Sequence, residues 1–179
     1  MKPQEQAYVD KIALLWPDGY VCEASPAVLA LIEEAVSIFP DCAKLWCLRG
    51  DLICLSSLEA NYELVDALFS YEQALKADPE LSEAYQEIGY YYDVYFEDLN
   101  LSEIAFRKAI AFGAGSDSYF GLARVLAEQN RRQEALQILD PQSCPFQNEI
   151  EIQIIRDEIV SGVWSRSEDD SEEDYCLSR

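Results

Sequence analysis

The stretch "YEQALKADPELSEAY" (residues 71–85) decides the fold. It opens on a large apolar residue, Tyr71, places a small one, Ala74, three positions later, and meets a helix breaker at Pro79. An aromatic, Tyr85, stands eleven positions after the alanine, and Gly89 lies four beyond that. Tyr71 and Ala74 share one face of a helix. Pro79 stops that helix, and Tyr85 begins the apolar line of the next.

Two other segments keep the same order. "IEEAVSIFPDCAKLW" (32–46) supplies Ile32, Ala35, Pro40 and Trp46, followed by Gly50. "FRKAIAFGAGSDSYF" (106–120) supplies Phe106, Ala109, the glycines at 113 and 115, and Tyr119, followed by Ala123. The alanines recur after 39 and then 35 residues, the aromatics after 39 and then 34. Small residues let the two helices of a pair approach closely, and large ones fill the space beside them. This cadence resembles the tetratricopeptide repeat (TPR), a helix–turn–helix unit of about 34 residues.

The resemblance covers roughly residues 25–140. The middle unit carries it through Tyr85, Ile88, Gly89, Tyr92, Phe106 and Ala109, and the last through Tyr119, Leu122, Ala123, Ala135 and Leu139. The first full unit has Trp46, Gly50, Ala67, Tyr71, Ala74 and Pro79 but runs about five residues long, with the excess expected in "SSLEANYEL" (56–64). The resemblance implies an all-α fold, a right-handed α-solenoid of about three degenerate repeats with an extra N-terminal helix and a C-terminal capping helix. That domain spans 1–164, and the acidic, serine-rich "SRSEDDSEEDYCLSR" (165–179) is expected to be a disordered tail. Ser167 and Ser171 sit there in acidic contexts that some kinases prefer.

Helices are expected at 4–15, 26–39, 43–56, 60–77, 82–96, 101–112, 117–129, 131–139 and 147–162. Ser25 with Pro26 predicts an N-cap and first helical position. Asn100 with Glu103, and Asn130 with Gln133, read as capping boxes. The run "GYYYDVYF" (89–96) cannot sit on one face, since neighbours on a helix point about 100° apart. Tyr85, Ile88, Gly89, Tyr92 and Phe96 are expected in the packed stripe, and Tyr91 and Val94 on its flank. Tyr90 is left for a ligand.

In TPR proteins that remaining side of each first helix lines a concave, peptide-binding groove. The resemblance thus assigns partner binding to Lys44, Cys47 and Asp51, to Glu83, Gln86, Tyr90 and Asp93, and to Asp117, Phe120 and Arg124. The groove leans acidic, with Tyr90 and Phe120 as aromatic anchors. It lacks the Lys, Asn and Arg with which some TPR domains clamp a chaperone's terminal carboxylate. Asp51 and Asp93 would repel such a group, so a basic or neutral peptide or helix is the expected partner.

Composition narrows the function classes. The 34 acidic and 13 basic residues give a formal net charge of −21, which disfavours nucleic acid and anionic membranes. Six cysteines form no Cys-x-x-Cys pair, and there is no histidine to complete a zinc set, so no metal or cofactor is expected. The cysteines read as small buried hydrophobes in a reducing compartment, and the protein as cytoplasmic. With no histidine, phosphate loop or nucleophile elbow, catalysis is not expected. The expected function is a non-catalytic protein-interaction module, scaffold or adaptor. The alternatives are an inhibitor or immunity protein, or an assembly or secretion chaperone, masking a basic partner. An enzyme would need a pocket holding a buried carboxylate of raised pKa.

Overall fold

Ser25 and Pro26 show how the helices are punctuated. In the computed structural model, which describes residues 1–17, 23–57 and 60–164, Ser25 accepts from the Val28 backbone N–H and Pro26 is the first helical residue. The described residues form nine α-helices and no strand. They are α1 (Pro3–Leu14), α2 (Pro26–Ile38), α3 (Ala43–Cys54), α4 (Leu64–Ala77), α5 (Ser82–Phe96), α6 (Leu99–Ala111), α7 (Ser116–Glu128), α8 (Arg132–Ile138) and α9 (Ile150–Ser161). The fold is therefore all-α. The expected tail, with Ser167 and Ser171, lies outside the described residues, as do Cys22, Cys176 and part of the 56–64 insertion.

Contacts divide the chain into two units, Met1–Ile88 and Gly89–Arg179, with α5 crossing the division. In the first, α1 packs on α2, α2 on α3 and α3 on α4. Ile12, Val28, Ile32, Leu45 and Leu52 fill one core, and Ala67, Tyr71, Ala74 and Ala84 another. Each large side chain buried this way stabilises by about 2 kcal/mol. The Tyr71 ring lies against Gly50, where a Cβ would come within 2.3 Å of it. Arg49 joins three helices, donating to Glu33 Oε1 on α2 (2.9 Å) and to Ser70 Oγ on α4 (2.6 Å). Tyr62 donates to the same Glu33 oxygen.

In the second unit α6 packs on α7, and α7 on both α8 and α9. Phe106 stands between two glycines. A Cβ at Gly89 would lie 2.8 Å from its ring, and one at Gly121 2.4 Å. Leu122, Leu126, Leu139, Ile152, Ile155 and Ile159 complete that core. Over it runs a closed ring of charge: Glu103–Arg107–Glu134–Arg131, at 2.9, 2.5, 2.7 and 2.5 Å around the circuit. Burial pushes the Glu103 carboxyl up, but hydrogen bonds from Arg131 and Arg107 outweigh it and hold the group below the usual carboxylate range. Glu134 is held low mainly by its hydrogen bond from Arg131.

Three expectations need correction. Asn100 does not cap α6. The Asp98 carboxylate accepts from the Asn100 and Leu101 N–H groups, and the helix starts earlier, at Leu99. A carboxylate there satisfies two orphan donors and suits the helix dipole. Asn130 closes α7 rather than opening α8. It is left-handed (φ 61°), so that Arg131 N–H reaches Leu126 O at 2.8 Å. Asparagine tolerates that conformation better than most residues. In the aromatic run, Tyr91 is buried at 3 % exposure while Phe96 is 57 % exposed. The Phe96 ring lies 5.1 Å from the Tyr91 ring and covers it, because α5 ends at once where Glu97 turns left-handed (φ 51°).

The Phe106 arrangement makes a direct test. Gly89→Leu must displace a buried ring held from two sides, at a cost of about 3 kcal/mol or more. Urea unfolding is expected to show a much lower midpoint for this variant, and an unchanged one would contradict the packing described.

Candidate partner-binding surface

Lys44, Cys47 and Asp51 follow helical spacing along one side of α3. Lys44 Nζ meets Glu83 Oε2 on α5 at 2.5 Å, joining two residues that hold the same place in successive segments. Burial would lower the Lys44 ammonium, but its hydrogen bond to Glu83 and the negative charge around it together outweigh this and raise it. Cys47 points inward, at 2 % exposure, among Ala67, Tyr71 and Ala84. Burial first, and then the charge of Asp51, push its thiol well above the usual range. Cys47 is thus a core residue of its unit and inert as a nucleophile.

Asp51 is the unusual group. Its Oδ1 accepts from the Tyr71 hydroxyl at 3.1 Å, and it forms no ion pair among the described residues. Burial and then the neighbouring Glu87 charge push its carboxyl up to about 7, despite the Tyr71 hydrogen bond and the pull of Lys44. With Val9, Ala13, Trp16 and Leu48 it lines a cavity of about 400 Å³ between α1 and α3. Gln86, half-buried, bonds to Glu87 Oε1 at 3.2 Å. Lys44, Asp51, Glu83 and Gln86 therefore occupy one neighbourhood of the first unit. Sequence reading missed Tyr71 and Glu87 as members. A buried tyrosine needs a partner for its hydroxyl, which was the available signal.

In the second unit the expected binding residues are more engaged with one another than open. The Tyr90 ring meets Phe106 edge-on at 4.9 Å, and its hydroxyl donates to the Asp117 carbonyl at 2.9 Å. Asp93, at 8 % exposure, pairs with Arg124. Arg124 also approaches Glu128 at 4.0 Å and lies over the Trp164 ring at 5.6 Å. Phe120 is half-buried on the margin of the core. Only the Asp117 side of this set is exposed. Trp164 carried no signal, standing as it does just before the acidic stretch.

Among the described residues no group of three or more histidine, cysteine or acidic side chains is arranged to hold a metal ion. No helix among them is long and apolar enough to cross a membrane. No family model matches this sequence, and no curated protein is significantly similar to it.

Asp51 couples the stability of the fold to pH. Its folded pKa, about 7, stands above the unfolded value of about 3.9. The stability associated with its neutral form is complete below the unfolded pKa and is lost as pH rises through the folded one. Asp51→Asn keeps the shape without the charge, so the variant is expected to be more stable than the parent at pH 8 by about 2–4 kcal/mol. Urea titrations from pH 4 to 8 check this: the gap should open across that range and stay level above it.

Proposed function

We propose that this chain is a non-catalytic protein-interaction module, built as an α-solenoid of TPR-like helix pairs, that binds a basic or neutral segment of another protein. The observation that carries the reading is a duplicated construction. Trp46 Nε1–H donates to Pro40 O at 2.7 Å, and 39 residues later Tyr85 O–H donates to Pro79 O at 3.3 Å. Each aromatic locks the turn ahead of its own helix. Each precedes by four positions a glycine that receives a ring, Gly50 under Tyr71 and Gly89 under Phe106. Serial repetition of one unit is the mark of proteins that offer an extended surface to a partner. The acids at 51, 83 and 87 around the single cation of Lys44, and a chain charge of −21, favour a positively charged ligand. A cytoplasmic setting and the absence of a cofactor belong to the same proposal.

A catalytic reading has one observation in its favour: Asp51 is a carboxylate of raised pKa in the lining of a cavity. It lacks a partner for chemistry. The nearby Cys47 thiol and Tyr71 hydroxyl are both pushed upward by burial and stay protonated, and no histidine exists to relay a proton.

Affinity capture from native lysate tests the interaction reading. Glu83 and Asp117 are exposed, whereas Tyr90 and Phe120 are half-buried, so a Glu83→Lys/Asp117→Lys variant perturbs the surface with the core intact. The parent is expected to retain a basic polypeptide at low salt and release it as salt rises, and the variant to lose it at unchanged helicity. Retention of nothing by the parent, or of the same polypeptide by both, would overturn the reading.

A further inference from the structure

The α1–α3 cavity combines features that together select one kind of side chain. Val9, Ala13 and Trp16 line it from α1 and the adjoining turn, and Leu48 and Asp51 from α3. Four of the five are apolar, and the fifth is an acid. The Asp51 carboxylate gives one oxygen to the Tyr71 hydroxyl, and among the described residues it has no cation in ion-pair contact. Lys44, the positive group whose charge acts on Asp51, is engaged with Glu83. The charges that act on Asp51 from α3 and α5 are therefore Lys44, Glu83 and Glu87, with a negative balance, while α4 contributes the neutral Tyr71.

We propose that this cavity is a subsite for a lysine side chain of the partner polypeptide, its methylene stem against Val9, Ala13, Trp16 and Leu48 and its ammonium on Asp51. The inference rests on the interaction reading above and names the residue that reading would recognise. The volume, about 400 Å³, is near the small end of the range for ligand pockets and suits a side chain with its flanks better than a cofactor. Lysine fits better than arginine for a geometric reason. A guanidinium binds best to both oxygens of a carboxylate, and one of these already accepts from Tyr71. An ammonium is a point charge that needs a single free oxygen. Its aliphatic stem prefers apolar walls, and the indole of Trp16 attracts a cation over its face. A hydrophobic residue in the same place would leave the half-buried carboxylate without a counter-charge.

The test uses three short blocked peptides, alanine-flanked lysine, arginine and norleucine, titrated into the full chain at pH 8 with NMR detection of the Trp16 indole N–H and the Leu48 methyls. The lysine peptide is expected to shift these signals saturably and to bind at least ~tenfold more tightly than the norleucine peptide. Asp51→Asn, which should fold at least as well as the parent, is expected to abolish that preference. Equal binding of lysine and norleucine, tighter binding of arginine than lysine, unmoved signals, or a preference that survives Asp51→Asn would each overturn the proposal. Salt-dependent capture can persist through any of those outcomes, so the subsite can fail while the interaction reading stands. Lysine binding without capture would count against the interaction reading alone.

Discussion

An aromatic ring pressed onto a glycine is the constraint on which the rest of this structure depends. Tyr71 lies on Gly50, and Phe106 lies between Gly89 and Gly121. Any side chain at these glycines would occupy space the ring already holds, so helices approach as closely as backbone allows. Once they do, neighbouring positions are fixed. Ala35, Ala74 and Ala109 are fully buried because nothing larger fits between elements set that near. Tyr71 then brings its hydroxyl to Asp51, and Tyr90 meets the edge of Phe106. The polar features of the surface are downstream of the packing.

The two units use this device with different punctuation. In the first, α2 and α4 end just before Pro40 and Pro79, each serving as the carbonyl that the next helix's aromatic holds. In the second, α5, α6, α7 and α9 end on left-handed residues, Glu97, Gly113, Asn130 and Gly162. Proline stops a helix by removing a donor, whereas a left-handed residue stops it by turning the chain back onto its last carbonyls. Two of those four residues are not glycine and hold the turn at some conformational cost.

Helices were legible in the sequence because their signals are local: an alanine three positions from a large residue, a breaker, an aromatic at fixed distance. The buried state of Ile32, Tyr71, Phe106 and their alanines follows from that spacing. What escaped was set by distance along the chain or by competition at an end. Asp98 outcompetes Asn100 as a cap because a carboxylate is the stronger acceptor and stands nearer the first free N–H groups. The exposure of Phe96 follows from where α5 stops, which depends on one dihedral angle at Glu97. For the candidate site, helical spacing grouped Lys44 with Asp51, but it could not foresee that Cys47 points inward or that Asp93 is enclosed with Arg124. Such pairings join residues tens of positions apart and leave no periodic trace.

The charge ring over α6 and α8 has a consequence for how this molecule behaves in solution. Arg107 and Arg131 face Glu103 and Glu134, Arg124 faces Asp93, and Arg49 faces Glu33. With Lys2 beside Glu5 and Lys44 on Glu83, six of the 13 basic residues are turned toward acids of the same fold. With a formal net charge of −21, the field reaching outward is that of a polyanion, which gathers a sheath of mobile counter-cations. A positively charged partner displaces that sheath on arrival, and the freed ions gain entropy. Association with such a surface is then driven in good part by what leaves it.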